Sequence, residues 1–308
     1  MIMEKLKVLL WTVLHLPEYR YKYWLTRKIR NEINILNSWD TVNYILEQKK
    51  SVCRFGDGEL QMISHFLKKK KNENFDVDTF QSYNEELSRR LLEVFQSKKE
   101  NVLICLPYQF KKASVSTLKT RLFWEREWLG RKDELLKIGF PDEIGDTNFT
   151  RFYLNRLDIP DYPKYINKLK QIWKNKKITI VEGEYSRLGV GNDFFDTAID
   201  IKRIICPAVN AFDKYNDILN AVQNYVEKDR LVLIALGHTA TVLAFDLSQL
   251  GFQSLDIGHV DIEYEWYKLN AKEKVAIPNK YVNEVSSGRI DSDLEDEQYH
   301  KQIIYRFI

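Results

Sequence analysis

From residue 38 onward, short unbroken apolar runs alternate with amphipathic stretches, and this alternation predicts most of the architecture. Runs at 51–55, 102–106, 177–181, 201–206, 231–236 and 254–257 have the length and apolar continuity of strands buried on both faces. Helical spacing of apolar residues predicts helices over 39–46, 81–95, 117–129, 162–173, 211–226 and 239–250. Continuous strands separated by amphipathic helices predict an α/β fold. Its core is a Rossmann-like, mostly parallel sheet of about six strands with helices on both faces.

Two stretches resist this reading. In 258–266 (GHVDIEYEW) a strand would put His259, Asp261, Glu263 and Glu265 on one face, whereas a helix would bring His259 to Glu263 and Asp261 to Glu265. Within 130–160, Gly139, Pro141 and Gly145 predict a loop, and the pattern does not divide 149–154 between helix and strand. The domain boundaries that follow are an apolar and basic N-terminal extension (1–35), one α/β domain (36–277) and a polar tail (278–308). The apolar final residues, 303–308, are suited to docking on the body or on a partner.

At 308 residues the chain is long enough for a sizeable core, and its charges nearly cancel to +3, so no overall field argues for nucleic acid. Seven Trp and seventeen Tyr serve either a thick core or surfaces on which rings stack. Cys53, Cys105 and Cys206 each sit in an apolar run with no CxxC spacing, which predicts buried free thiols and a cytoplasmic protein. The apolar stretch 6–16 is shorter than the roughly 20 residues a membrane span needs. Followed by Arg20, Lys22, Arg27, Lys28 and Arg30, it suits either a helix packed on the domain or peripheral contact of residues 1–31 with the inner face of an anionic membrane.

In a parallel sheet, ligands bind beyond the carboxyl ends of the strands, so the residues following each strand are the candidates for chemistry. After the first strand, Arg54-Phe55-Gly56-Asp57-Gly58-Glu59 places two carboxylates and an arginine in a glycine-rich turn. That set suits either a structural turn or a hard divalent cation completed by substrate phosphates. The loop 183–193, with Ser186, Arg187 and Asn192, suits phosphate or ribose, although it matches neither the Walker A pattern nor GxGxxG. Gly237-His238-Thr239 opens a helix, where free N–H groups favour an anion; an ordinary Thr239 cap is the simpler alternative. The 259–265 cluster suits a general base or further metal contacts, and otherwise a solvated charged face.

Six ordered blocks carry a more specific signal: SVCRFGDGEL from 51, LICLP from 103, IVEGEYSRLGVGNDFF from 180, IKRIICPAVNAFDKY from 201, LIALGHTATVLAFDL from 233 and LDIGHVDIEYEW from 255. Over roughly residues 40–275 they resemble the bacterial GT-D fold glycosyltransferases. The resemblance implies a nucleotide-sugar donor, typically a UDP-sugar, a glycan or glycoprotein acceptor, and Mn²⁺ or Mg²⁺ at an Asp-x-Glu element, here Asp57 and Glu59. It implies that Arg54, Gly56, Glu182, Ser186, Arg187, Gly189, Gly191, Asn192, Asp193 and Thr239 surround the nucleotide sugar, and that His259, Asp261 and Glu265 supply acid or base. A histidine, His238, stands where the family pattern carries proline. A metal-dependent phosphoesterase and a non-catalytic nucleotide-binding subunit of an oligomer or a glycan-synthesis complex are the competing readings.

Overall fold

The computed structural model of the chain describes residues 17–68, 81–290 and 292–307. After a helical stretch at 17–25 come α1 (Arg27–Glu32), α2 (Ser38–Gln48), β1 (Ser51–Arg54), α3 (Asp57–Leu67), α4 (Glu85–Phe95) and β2 (Val102–Leu106). Short turns lead to α5 (Leu118–Ile138), β3 (Ile144–Asp146), α6 (Tyr162–Lys170), β4 (Lys177–Gly183) and β5 (Asp200–Cys206). The chain continues through α7 (Tyr215–Tyr225), β6 (Leu231–Ala235), α8 (His238–Gln249), β7 (Ser254–Asp256), α9 (Val260–Lys268), α10 (Glu297–Gln302) and β8 (Ile303–Arg306).

Among the described residues the sheet has eight strands in the order β3-β2-β1-β7-β6-β4-β5-β8, and every pairing is parallel. The expected α/β class holds, with eight strands in place of about six. Both additions are edge strands. β3 is only Ile-Gly-Asp, too short for a periodic signal, and β8 is the apolar C-terminal run docked beside β5. The ambiguous 260–268 segment is helix, and 147–150 is a 3₁₀ turn followed by irregular backbone.

Strand alternation divides the core between the two faces of the sheet. In β6, Val232 and Ile234 pack with Met62, Leu91, Phe95, Trp128 and Val222, whereas Leu231 and Leu233 pack with Val42, Tyr165, Trp173 and Phe194. Both faces are therefore apolar, which is why the strands read as unbroken runs. The three cysteines are buried free thiols.

Residues 1–16, including the apolar 6–16 stretch, lie outside the described residues. The part that follows packs on the body: buried Arg30 donates to Tyr23 Oη (2.8 Å) and the Lys111 carbonyl (2.8 Å), and Trp128 donates to Thr26 Oγ1 (3.0 Å). Tyr21, Trp24 and Leu25 remain exposed. No helix among the described residues is long and apolar enough to cross a membrane.

Candidate functional site

A cleft of about 410 Å³ lies over the carboxyl ends of the strands and is lined by residues that follow β1, β3, β4, β5, β6 and β7. Helices α3, α8 and α9 all begin at its wall: Gly56 and Asp57, Gly237 and His238, and Gly258 and His259 line it. They follow β1, β6 and β7, which are neighbours in the sheet, so parallel topology alone gathers their N-terminal ends. Free backbone N–H groups and the positive ends of the helix dipoles make this wall attractive to an anion.

Asp57 is exposed in the first turn of α3, and no hydrogen bond or ion pair engages it among the described residues. Glu59 serves the helix as well as the cleft, because its Oε2 accepts from the Gly56 N–H (2.8 Å) and its Oε1 lies 3.8 Å from His238 Nε2. A Cβ on Gly58 would stand 2.1 Å from that same nitrogen, so the His238 ring requires glycine there. No group of three or more His, Cys, Asp or Glu is placed to hold a metal among the described residues. Hard cations such as Mg²⁺ or Mn²⁺ ordinarily take one or two carboxylates and complete their shell with phosphate and water. The exposed Asp57 carboxylate and the outer oxygen of Glu59 fit that donor set.

Arg54 crosses the floor. Its Nε donates to the Thr147 carbonyl (3.0 Å), and its Nη1 lies 3.4 Å from Asp256 Oδ1. A Cβ on Gly258, which has φ +46°, would stand 2.2 Å from that Nη1, so the guanidinium occupies the space a side chain would fill. Asp256 also accepts from Thr241 Oγ1 (3.2 Å) and the Gly258 N–H (3.2 Å). Burial pushes its carboxyl up to about 7 against the opposing pull of Arg54.

His259 lines the cleft, and its Nδ1 faces Glu284 Oε2 at 3.6 Å. Burial holds the imidazole below its ordinary value, which favours its neutral form. Burial also opposes the charge on Glu284, but Arg151 (Nη1 to Oε1 2.8 Å) and His259 outweigh it and hold that carboxyl well below the usual range. Arg151 lines the cleft as well and lies 3.7 Å from Glu263. Glu263 Oε2 in turn accepts from the Tyr153 (2.9 Å) and Leu154 (3.0 Å) N–H groups. The cleft wall thus carries an imidazole with a carboxylate beside its Nδ1.

Of the residues singled out from the sequence, Arg54, Gly56, Asp57, Glu59, Ser186, Gly237, His238, His259 and Asp261 line the cleft, whereas Glu182, Arg187, Gly189, Gly191, Asn192, Asp193, Thr239 and Glu265 do not. Asp261 is almost wholly buried, with Lys280 Nζ at 2.5 Å and Asn192 Nδ2 at 2.8 Å. Glu265 shares both partners, at 3.0 Å and 2.6 Å. Asp193 accepts from Lys170 (2.7 Å) and Tyr264 (2.6 Å), and these bonds hold its carboxyl far below the usual range. Glu182 is buried against Arg203 (2.5 Å) and the Leu188 N–H (2.7 Å). Arg187 is also buried and donates to the carbonyls of Asn279 and Ser292. Gly189 and Gly191 lie in the loop between β4 and β5, and Thr239 is buried near Gln81 (3.4 Å). Most of the glycine loop thus fastens α9 and the backbone at Asn279 and Ser292 in place, and only Gly183, Ser186 and Leu188 of it reach the cleft.

Sequence reasoning missed Asp256, Arg151, Lys280 and Glu284. Asp256 had a usable signal, an acid two residues before a glycine at a strand's carboxyl end. Arg151 lay in the unreadable loop, and Lys280 and Glu284 lay in the segment set apart as a tail.

The Glycosyltransferase GT-D fold family model matches residues 52–285. The chain is 37% identical over 287 residues to the probable glycosyl transferase Gly of Streptococcus gordonii, covering 92% of this chain and 40% of that protein. It is 36% identical over 271 residues to glycosyltransferase GlyD of Streptococcus pneumoniae serotype 4, covering 87% of this chain and 32% of that protein. It therefore spans two fifths or less of these relatives. A solved domain of unknown function 1792, described as having a distinct glycosyltransferase fold, superposes with a TM-score of 0.83 at 36% identity, covering 92% of this chain and 99% of that one. A glycosyltransferase of the same domain type from Streptococcus sanguinis gives 0.80 at 35% identity, with 90% and 100% covered. The matched span takes in every residue that lines the cleft, and the chain belongs to the GT-D fold glycosyltransferase family.

Proposed function

We propose that this chain moves a sugar, a hexose in this reading, from a UDP-sugar to a hydroxyl of a glycan or glycoprotein acceptor, with Mn²⁺ or Mg²⁺ at Asp57 and Glu59. The observation that carries the reading is the convergence of the α3, α8 and α9 N-termini on one cleft that also holds Arg54, Arg151 and the Asp57 and Glu59 carboxylates. A cationic wall beside a pair of acids suits a metal-bound diphosphate, and family membership supports a nucleotide sugar as its source.

Transfer breaks the bond between the anomeric carbon and the diphosphate oxygen, which departs with the electron pair. The acceptor oxygen forms the new bond, and its proton passes to the neutral imidazole of His259, with Glu284 stabilising the imidazolium. Arg54 and the helix N-termini face the charge that grows on the diphosphate. A divalent cation, when bound, supplies further neutralisation of that charge. Asp261 and Glu265, held by Lys280 and Asn192, position α9 under His259.

The test is to incubate the chain with UDP-glucose and related donors, with Mn²⁺, and to follow UDP with and without acceptor mixtures. UDP release that rises with acceptor, together with a glycosylated product, is the expected result. Cleavage indifferent to acceptor that yields UMP or phosphate would replace the reading with phosphoesterase chemistry. Binding of UDP with no turnover of any donor would leave a nucleotide-binding subunit.

A further inference from the structure

A second hollow, of about 700 Å³, lies outside the cleft and is lined by Tyr153, Tyr162, Tyr267, Lys268, Asn270 and Lys272, among others. Its tyrosines are partly exposed and brace one another: Tyr153 meets Tyr162 at 5.2 Å and 69°, and Tyr267 at 5.7 Å and 81°. Tyr153 Oη donates to Asn270 Oδ1 (3.3 Å), and Lys272 Nζ approaches the same oxygen (3.2 Å). Leu157, 66% exposed, adds an apolar rim.

We propose that this tyrosine basin binds a glycan, the part of the acceptor remote from the hydroxyl that is modified; the acceptor role rests on the sugar-transfer reading of the cleft. A pyranose presents an apolar C–H face edged by hydroxyl groups. The basin presents the complement, aromatic faces edged by phenol, amide and ammonium groups. Rings already held edge to face lose little freedom on binding, which favours a flexible, weakly apolar ligand such as an oligosaccharide. Among the described residues no aspartate or glutamate lines the hollow, which disfavours a cation or a basic peptide, while Lys268 and Lys272 admit acidic sugars.

Continuity with the cleft assigns the ligand to the acceptor. Helix α9 starts beside the cleft at His259 and carries Tyr267 in the basin eight residues on, a run of about 12 Å at the helical rise. The irregular strand of chain after β3 does the same in two residues, with Arg151 in the cleft and Tyr153 in the basin. Glu263 bonds to that segment and ties it to α9, so both elements hold the two hollows at a set separation.

The test applies the full chain, without nucleotide, to a printed array of neutral and acidic oligosaccharides, and measures UDP binding by calorimetry on the same preparations. Wild type is expected to retain a defined subset of the array. Tyr162→Ala and Tyr267→Ala should each lower that signal about tenfold or more, whereas Tyr267→Phe keeps it and UDP binding stays at the wild-type level. Leu157→Asp, at an exposed position where folding is not at stake, should lower it as well. An array that wild type does not bind, or binding that survives both alanine variants and the rim variant, overturns the basin. Tyrosine-dependent array binding in a chain that neither binds UDP nor turns over a donor keeps the glycan site and overturns the reading of the cleft.

Discussion

Lys280 Nζ lies 2.5 Å from Asp261 Oδ2 and 3.0 Å from Glu265 Oε1, so a lysine from beyond the α/β alternation bridges two acids one turn apart on the helix that His259 caps. Lys280 and Asp261 are nearly inaccessible to water, and removing one partner of such a pair leaves a buried charge unanswered. Lys280→Met is therefore expected to lower the unfolding free energy by about 3–5 kcal/mol, measured by urea denaturation. An unchanged midpoint and slope would show that water satisfies these carboxylates.

His259→Ala should reduce the rate of transfer by about 10²- to 10⁴-fold with UDP binding retained. Glu284→Gln has a more diagnostic signature. Burial and Arg151 lower the proton affinity of His259, whereas Glu284 raises it. Without that carboxylate's charge only the lowering causes remain, so the acid limb of the pH–rate profile should move to lower pH while kcat falls. An acid limb that stays in place would remove His259 from the proton-transfer role.

Asp57 and Glu59 differ in what else they do. Glu59 caps the helix by accepting from the Gly56 N–H, and Asp57 makes no such bond among the described residues. Both Asp57→Ala and Glu59→Ala should lose Mn²⁺-dependent turnover, but only Glu59→Ala should also lose about 1 kcal/mol of stability. Calorimetric Mn²⁺ titration in the presence of UDP checks the metal directly, and equal Mn²⁺ affinity in wild type and both variants would place the cation elsewhere.

Gly58 and His238 should be coupled. The ring of His238 fills the space a Gly58 side chain would need, so Gly58→Ala destabilises, and adding His238→Ala should restore most of the loss. A double-mutant cycle by urea unfolding should give an interaction of about 0.5–3 kcal/mol. Additive effects would mean that the ring moves aside without cost.

Asp256 predicts a pH dependence of stability. Its folded value near 7 lies above that of an unfolded aspartate, so the folded state binds the extra proton between about pH 4 and 7. This one group makes folding less favourable as pH rises through that window, by about 1.4 kcal/mol per pH unit, and adds nothing further above it. Asp256→Asn lacks the dependence. The difference between wild type and variant should therefore widen from pH 4 to 7 and then level off in denaturation curves; a difference constant with pH would show a carboxylate that stays ionised throughout.

The sequence by itself determined six of the strands and the amphipathic helices between them, because burial on both faces writes an unbroken apolar run and burial on one face writes a helical period; it did not show α3, β3 or β8 and left α9 open between helix and strand. It also pointed to the cleft position of Arg54, His259 and the acids at 57 and 59, since each follows a strand and parallel topology sends all such ends to one edge, although those acids stand in the first turn of α3 and not in a loop. Tertiary structure alone decided what the 182–193 loop does. Ser186 and Arg187 are adjacent and both polar, yet one reaches the cleft and the other is buried against carbonyls more than ninety residues away. It alone decided that Lys280 bridges Asp261 and Glu265 and that Glu284 faces His259, because the surroundings of an acid depend on neighbours that fold beside it from distant parts of the chain. Residue type and spacing report what a segment must bury, whereas the partner that makes a buried charge tolerable is chosen only when the chain closes on itself.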